Sequence, residues 1–154
     1  MISVLFVCHG NICRSPMAEF VLKEYVRKAG LEDEIHVESA AMHQDELGSD
    51  THPGTKKILD RYHIPYTHRK AHLVTKADYE TFDYIIGMDR YNMRDMLWLF
   101  NNDPQQKCSL LMDWVGLSRD VADPWYTGDF ETTYDDIDAG CLALMQHFKK
   151  ILYR

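Results

Sequence analysis

Cys8 is followed, after five intervening residues, by Arg14 and Ser15. That set of side chains suits phosphoryl transfer. A thiolate is a strong nucleophile, and thiols at helix N-termini or near cations titrate at about 3.5–7.5 instead of about 8.5. Cys8 is therefore expected to be ionised at neutral pH. Arg14 lies where a curled loop returns to its start, and its planar fork matches two phosphoryl oxygens. The Ser15 hydroxyl can donate to the Cys8 sulfur and ease its departure as a leaving group. The backbone amides of His9, Gly10, Asn11, Ile12, Cys13 and Arg14 complete a phosphate-sized ring. Together these features point to hydrolysis of a phosphate monoester through a phosphocysteine.

The flanking sequence has to hold this ring in shape. Ile2 to Val7 is a short apolar run with β-branched residues, suited to a buried parallel strand. Gly10 and Asn11 permit the backbone angles of a tight ring. Ser15-Pro16 reads as the cap and first turn of a helix over about residues 16–29, ended by Gly30. Strand patterns recur at Ile35–Ser39, Phe82–Met88 and Ser109–Met112, separated by helical patterns. Asp89 can cap the helix that carries Met93, Met96, Leu97 and Phe100, and Thr132 or Thr133 can open the last helix. The β-α-β-α order predicts one α/β domain over residues 1–154: an open sheet of four parallel strands with helices on both faces. The site belongs at the carboxyl end of the first strand, beside a change in strand order.

A second chemical group is needed to protonate the leaving oxygen. The polar segment Ser118–Pro124 offers Asp123, held extended by the following proline, with Asp120 as its nearest competitor. The eight histidines match no common zinc spacing, and no metal or cofactor is expected. The four cysteines do not suggest a disulfide framework; Cys141 falls on the apolar face of the last helix, and Cys108 precedes a strand. A net charge of −7 argues against a nucleic-acid surface. No stretch has the length and apolarity of a membrane span or the pattern of a signal peptide, so a cytoplasmic location is expected.

Residues 7–16 fit the form V-C-x-G-N-x-C-R-S-P, and Asp123-Pro124 is followed by Trp125-Tyr126. With Glu38-Ser39-Ala40-Ala41, Ile64-Pro65 and Phe82–Asp89 between them, the whole chain resembles the low-molecular-weight protein tyrosine phosphatases. The resemblance implies Cys8 as nucleophile, Arg14 as phosphate clamp and Asp123 as general acid and base. It also implies a supporting network of Asn11, Ser15, Ser39 and His68, with cleft walls at Trp125 and Tyr126. The spacing after His68 leaves His72 as an alternative member of the network. Cys13 would be the redox partner that protects Cys8 from over-oxidation. Asp45 stands where the family places an aromatic wall residue, which implies weaker ring stacking and an aversion to acidic phosphopeptides. The implied partners are phosphotyrosine proteins, with phosphate or other oxyanions in the loop, acting on a monomer or weak dimer.

Other uses of such a loop are less well matched. Arsenate reductases of this fold need further cysteines, and no pair lies near residues 70–90. Protein-arginine phosphatases carry Thr where Ile12 stands. A phosphocarrier would not need Asp123 to activate water, and a binding-only relative would not need all of Cys8, Arg14 and Asp123.

Overall fold

The computed structural model describes residues 1–153. Four strands, β1 (Ile2–Cys8), β2 (Ile35–Ala41), β3 (Tyr84–Gly87) and β4 (Cys108–Leu110), form one parallel sheet in the order β2-β1-β3-β4. The helices are α1 (Arg14–Lys28), α2 (Pro53–Arg61), α3 (Asp78–Thr81), α4 (Arg90–Leu99), α5 (Pro124–Thr127) and α6 (Phe130–Leu152).

The two-residue period of β1 divides the core. Val4, Phe6 and Cys8 face the side packed by α1 and α6, while Leu5 and Val7 face the side of α3 and α4. Both sets are buried, as a central parallel strand requires. The expected three-layer α/β arrangement is therefore present. Gly30 adopts φ +70° and ends the first helical segment, as its position suggested.

Several boundaries differ from the sequence expectation: β2 runs on to Ala41, and Cys108 begins β4 instead of preceding it. The third strand is confined to Tyr84–Gly87. The fourth ends at Leu110 because the Leu110 amide donates to Asp113 Oδ2 at 3.0 Å, and Leu111–Val115 turns into a 3₁₀ helix. The last helix begins at Phe130, because Asp129 caps it by accepting the Thr132 amide at 3.0 Å. Neither Thr132 nor Thr133 is the cap.

Strand order sets the site's position. β1 sends its chain outward to β2 on one side, while β3 lies on the other. A crevice opens where those connections diverge, at the carboxyl ends of β1 and β3. Cys8 ends β1 there, and Asp89 follows β3.

Candidate active site

Residues 9–13 curl from the end of β1 into the N-terminus of α1. Asn11 takes the left-handed conformation, φ +58°, with its side chain fully buried. Asn tolerates that region better than most residues. Gly10 has no positive φ; its role is space, since a Cβ there would lie 3.2 Å from Glu46 Cγ. The first turn of α1 carries no acidic residue, and its Ser15 amide points at the sulfur of Cys8, where the loop begins.

The cap expectation for Ser15 is corrected. Helix α1 begins at Arg14 with Cys13 at its cap position and no side-chain capping bond. The Ser15 hydroxyl instead lies 3.0 Å from Cys8 Sγ, and the Ser15 amide donates to the same sulfur at 3.4 Å. Cys8 is buried, yet its sulfur meets two donors and faces a cleft of about 690 Å³.

Arg14 is buried, and its guanidinium is fixed from behind. Nη1 donates to the Val121 carbonyl at 2.9 Å, while Nη2 lies 2.9 Å from Asp89 Oδ2 and 3.4 Å from Asp123 Oδ2. The Cys8, Asp123 and Asp89 charges raise its pKa against the opposing effect of burial. Asp89 was read from sequence only as a helix cap. It does cap α4, through a reciprocal pair with Asn92, and its other oxygen orients Arg14.

Asp123 sits on the rim with one oxygen toward Arg14 and the other accepting the Trp125 amide at 3.0 Å. That bond caps α5 and aims Trp125 and Tyr126 along the cleft, where they are 60% and 86% exposed. Asp120 instead accepts the Arg90 amide and does not line the cleft. Asp45 also lines the cleft. Its Oδ2 is 2.5 Å from His9 Nε2, and the His9 hydrogen bond holds its carboxyl below the usual range. The His9 ring stacks on His43 at 4.4 Å, and His43 Nε2 meets Asp95 at 2.7 Å. His43, Asp95 and Tyr91 were not singled out from the sequence.

Beneath the loop, Asn11 Nδ2 donates to Ser15 Oγ at 2.8 Å and to Ser39 Oγ at 3.0 Å. Ser39 in turn donates to Glu19 Oε1 at 2.5 Å. His68 is not part of this network. Its side chain is 96% exposed and pairs with Asp50 at 2.9 Å. His72 is exposed as well, and only its backbone carbonyl is used, by the Ala41 amide. Arg69 occupies the expected histidine's place: Nη1 donates to the Asn11 carbonyl at 2.9 Å, and Nη2 donates to Asn11 Oδ1. The inversion arises because Asp50 accepts both His68 Nδ1 and the Arg69 amide, so His68 turns outward and Arg69 inward.

Three of the four cysteines are held as neutral thiols. Burial, reinforced by the Cys8 and Asp123 charges, pushes Cys13 up to about 12. Burial and Asp103 push Cys108 up to about 12, and burial raises Cys141. No group of three or more His, Cys, Asp or Glu side chains is placed to hold a metal among the described residues.

A parallel α/β sheet whose first strand delivers a cysteine into an anion-binding loop, with an arginine and a rim aspartate beside it, defines a cysteine-dependent hydrolase class. The family model "Low molecular weight phosphotyrosine protein phosphatase" matches residues 3–152. The chain belongs to that family. It is 41% identical over 152 residues to the low molecular weight protein-tyrosine-phosphatase YfkJ of Bacillus subtilis, covering 97% of each chain. The YfkJ crystal structure superposes with a TM-score of 0.94, covering 97% of this chain and 96% of that one. PtpA of Staphylococcus epidermidis is 39% identical over 151 residues, covering 97% and 96%. The Streptococcus pyogenes phosphatase SP-PTP gives a TM-score of 0.88 at 40% identity, covering 100% and 99%.

Proposed function

We infer that the chain is a protein tyrosine phosphatase that hydrolyses phosphotyrosine in proteins, and small aryl phosphates, through a phosphocysteine on Cys8. The observation that carries this reading is the placement of the Cys8 sulfur under two Ser15 donors, in the same cleft as Arg14 and Asp123. The loop amides and the Arg14 fork hold the phosphoryl oxygens and stabilise charge as it spreads onto them. Cys8 Sγ attacks phosphorus as the bond to the phenolic oxygen breaks, and Asp123 gives that oxygen a proton. Asp123 then takes a proton from water as the water oxygen attacks phosphorus. Cys8 leaves as a thiolate under the Ser15 hydroxyl, and phosphate departs.

Trp125 and Tyr126 flank the substrate ring, with Asp45 on the facing wall. The apolar Ile12 side chain lines the cleft and favours an aryl ester over a phosphoguanidine. Cys13, buried in the same loop, serves as the thiol that captures an oxidised Cys8. This chemistry suits a single catalytic domain, a monomer or weak dimer, in the reducing cytoplasm, where Cys8 stays a free thiol. No helix among the described residues is long and apolar enough to cross a membrane.

The test is hydrolysis of p-nitrophenyl phosphate and a phosphotyrosine peptide, with a phosphoarginine peptide alongside and excess chelator throughout. Turnover of the aryl esters is expected, abolished in Cys8→Ser and reduced about 10²–10⁴-fold on the phosphotyrosine peptide in Asp123→Ala. Preferential turnover of phosphoarginine, or no turnover by the reduced wild-type protein, would overturn the reading.

A further inference from the structure

The bonds beneath the loop have a fixed direction. Arg can only donate, so the Asn11 oxygen must face Arg69 and the Asn11 nitrogen must face the two serines. Asn11 Nδ2 therefore donates to Ser15 Oγ, and the single Ser15 proton is left for Cys8 Sγ, 3.0 Å away. The other Asn11 N–H goes to Ser39, whose own proton goes to Glu19. Arg69 and Glu19 are the charged ends of one relay, and every hydroxyl in it has its proton direction settled. The Arg69 side chain is only 11% exposed, and burial lowers its pKa against the opposing pull of Glu19.

We propose that Arg69 is a positioning residue for the reaction: through Asn11 it aims the Ser15 proton at the Cys8 sulfur and holds the loop's left-handed turn. The proposal rests on the phosphatase reading for its purpose, since a directed proton on sulfur serves both the attacking and the departing thiolate. It goes beyond the expected network, in which a histidine of either tautomer would leave the amide's orientation free to reverse. A charged donor at the head of a hydrogen-bond chain also strengthens each bond that follows.

The test reads thiolate reactivity separately from turnover. Reduced wild type, Arg69→Met, Arg69→Lys, Ser15→Ala and the Arg69→Met/Ser15→Ala double variant are treated with iodoacetamide, a neutral reagent, at pH 6 and pH 9. Alkylation at Cys8 is followed by peptide mass. Arg69→Met and Ser15→Ala are each expected to slow alkylation about tenfold at pH 6, with the gap closing at pH 9. The double variant is expected to be no slower than either single one. Arg69→Lys keeps the charge without the two-pronged grip and falls between. If Arg69→Met does not fold, Arg69→Lys and Ser15→Ala, alone and combined, carry the same comparison. Wild-type alkylation rates in the Arg69 variants, or losses that multiply in the double variant, would overturn the relay. Loss of aryl phosphate turnover in the wild type would instead overturn the phosphatase reading.

Discussion

At the scale of single residues, the grouping of Cys8, Arg14 and Asp123 in one cleft was foreseeable because each stands out by residue type and short spacing. A cysteine, an arginine six positions on and an aspartate before proline each carry their own local signal. Arg69 carried none, because only the tertiary fold brings it against Asn11, 58 positions earlier. Ser15 had two expected uses, as a helix cap and as a donor to the Cys8 sulfur; the structure keeps the contact with sulfur and not the cap. Asp45 was legible as a departure from an aromatic wall, but its pairing with His9 and the His9–His43 stack was not. A phosphotyrosine peptide with lysines beside the phosphotyrosine should show a kcat/KM about 3- to 10-fold above a glutamate-flanked counterpart at low salt, and the ratio should shrink in Asp45→Asn. Equal rates for the two peptides would show that the wall does not read flanking charge.

At the scale of elements, the strands and helices were largely foreseen because their periods are simple. β1 alternates between two buried faces, and the stripe of α6 places Ile137, Cys141, Leu144 and Phe148 in the core. The boundaries moved where a carboxylate captured a backbone amide, as Asp113 and Asp129 do. Gly140 shows how tightly α6 is seated, since a Cβ there would meet Leu111 Cγ at 2.4 Å. Asp50 governs the segment that delivers Arg69. It accepts Lys56 Nζ at 2.7 Å, His68 Nδ1 and the amides of Thr51 and Arg69. Lys56, ahead of the other partners, holds the Asp50 carboxyl well below its usual range. A depressed folded-state pKa favours folding above the ordinary carboxylate value, about 4, and this contribution fades as pH falls toward the depressed value. Asp50→Asn is therefore expected to cost about 1 kcal/mol at pH 7 in urea unfolding, the group being partly solvated. The difference should narrow steadily below about pH 4. A penalty that stays constant from pH 7 to pH 2.5 would remove Asp50's charge from the account.

At the scale of the whole molecule, an acidic chain of net charge −7 sets a buried arginine, Arg14, in its cleft. The strand order opens a crevice between β1 and β3, α1 begins beside it with its Ser15 amide on the Cys8 sulfur, and Arg14 lines the same cleft. Asp89 and Val121 brace Arg14 from two separate connections, so the placement of Arg14 depends on both the β3–α4 and the 3₁₀–α5 segments. The open parallel sheet and the position of the crevice followed from the β-α-β-α pattern, whereas the strand order and the bracing did not, the Arg14–Val121 bond joining residues 107 positions apart. The phosphatase reading requires a covalent phosphoryl group on Cys8. Its most direct test is rapid acid quenching of the reduced protein during turnover of p-nitrophenyl phosphate with excess chelator, followed by peptide mass mapping. One phosphoryl group is expected on the peptide that contains Cys8, formed on the timescale of turnover and absent from Cys8→Ser. Full turnover with no phosphorylated Cys8 peptide, or turnover that survives in Cys8→Ser, would contradict it.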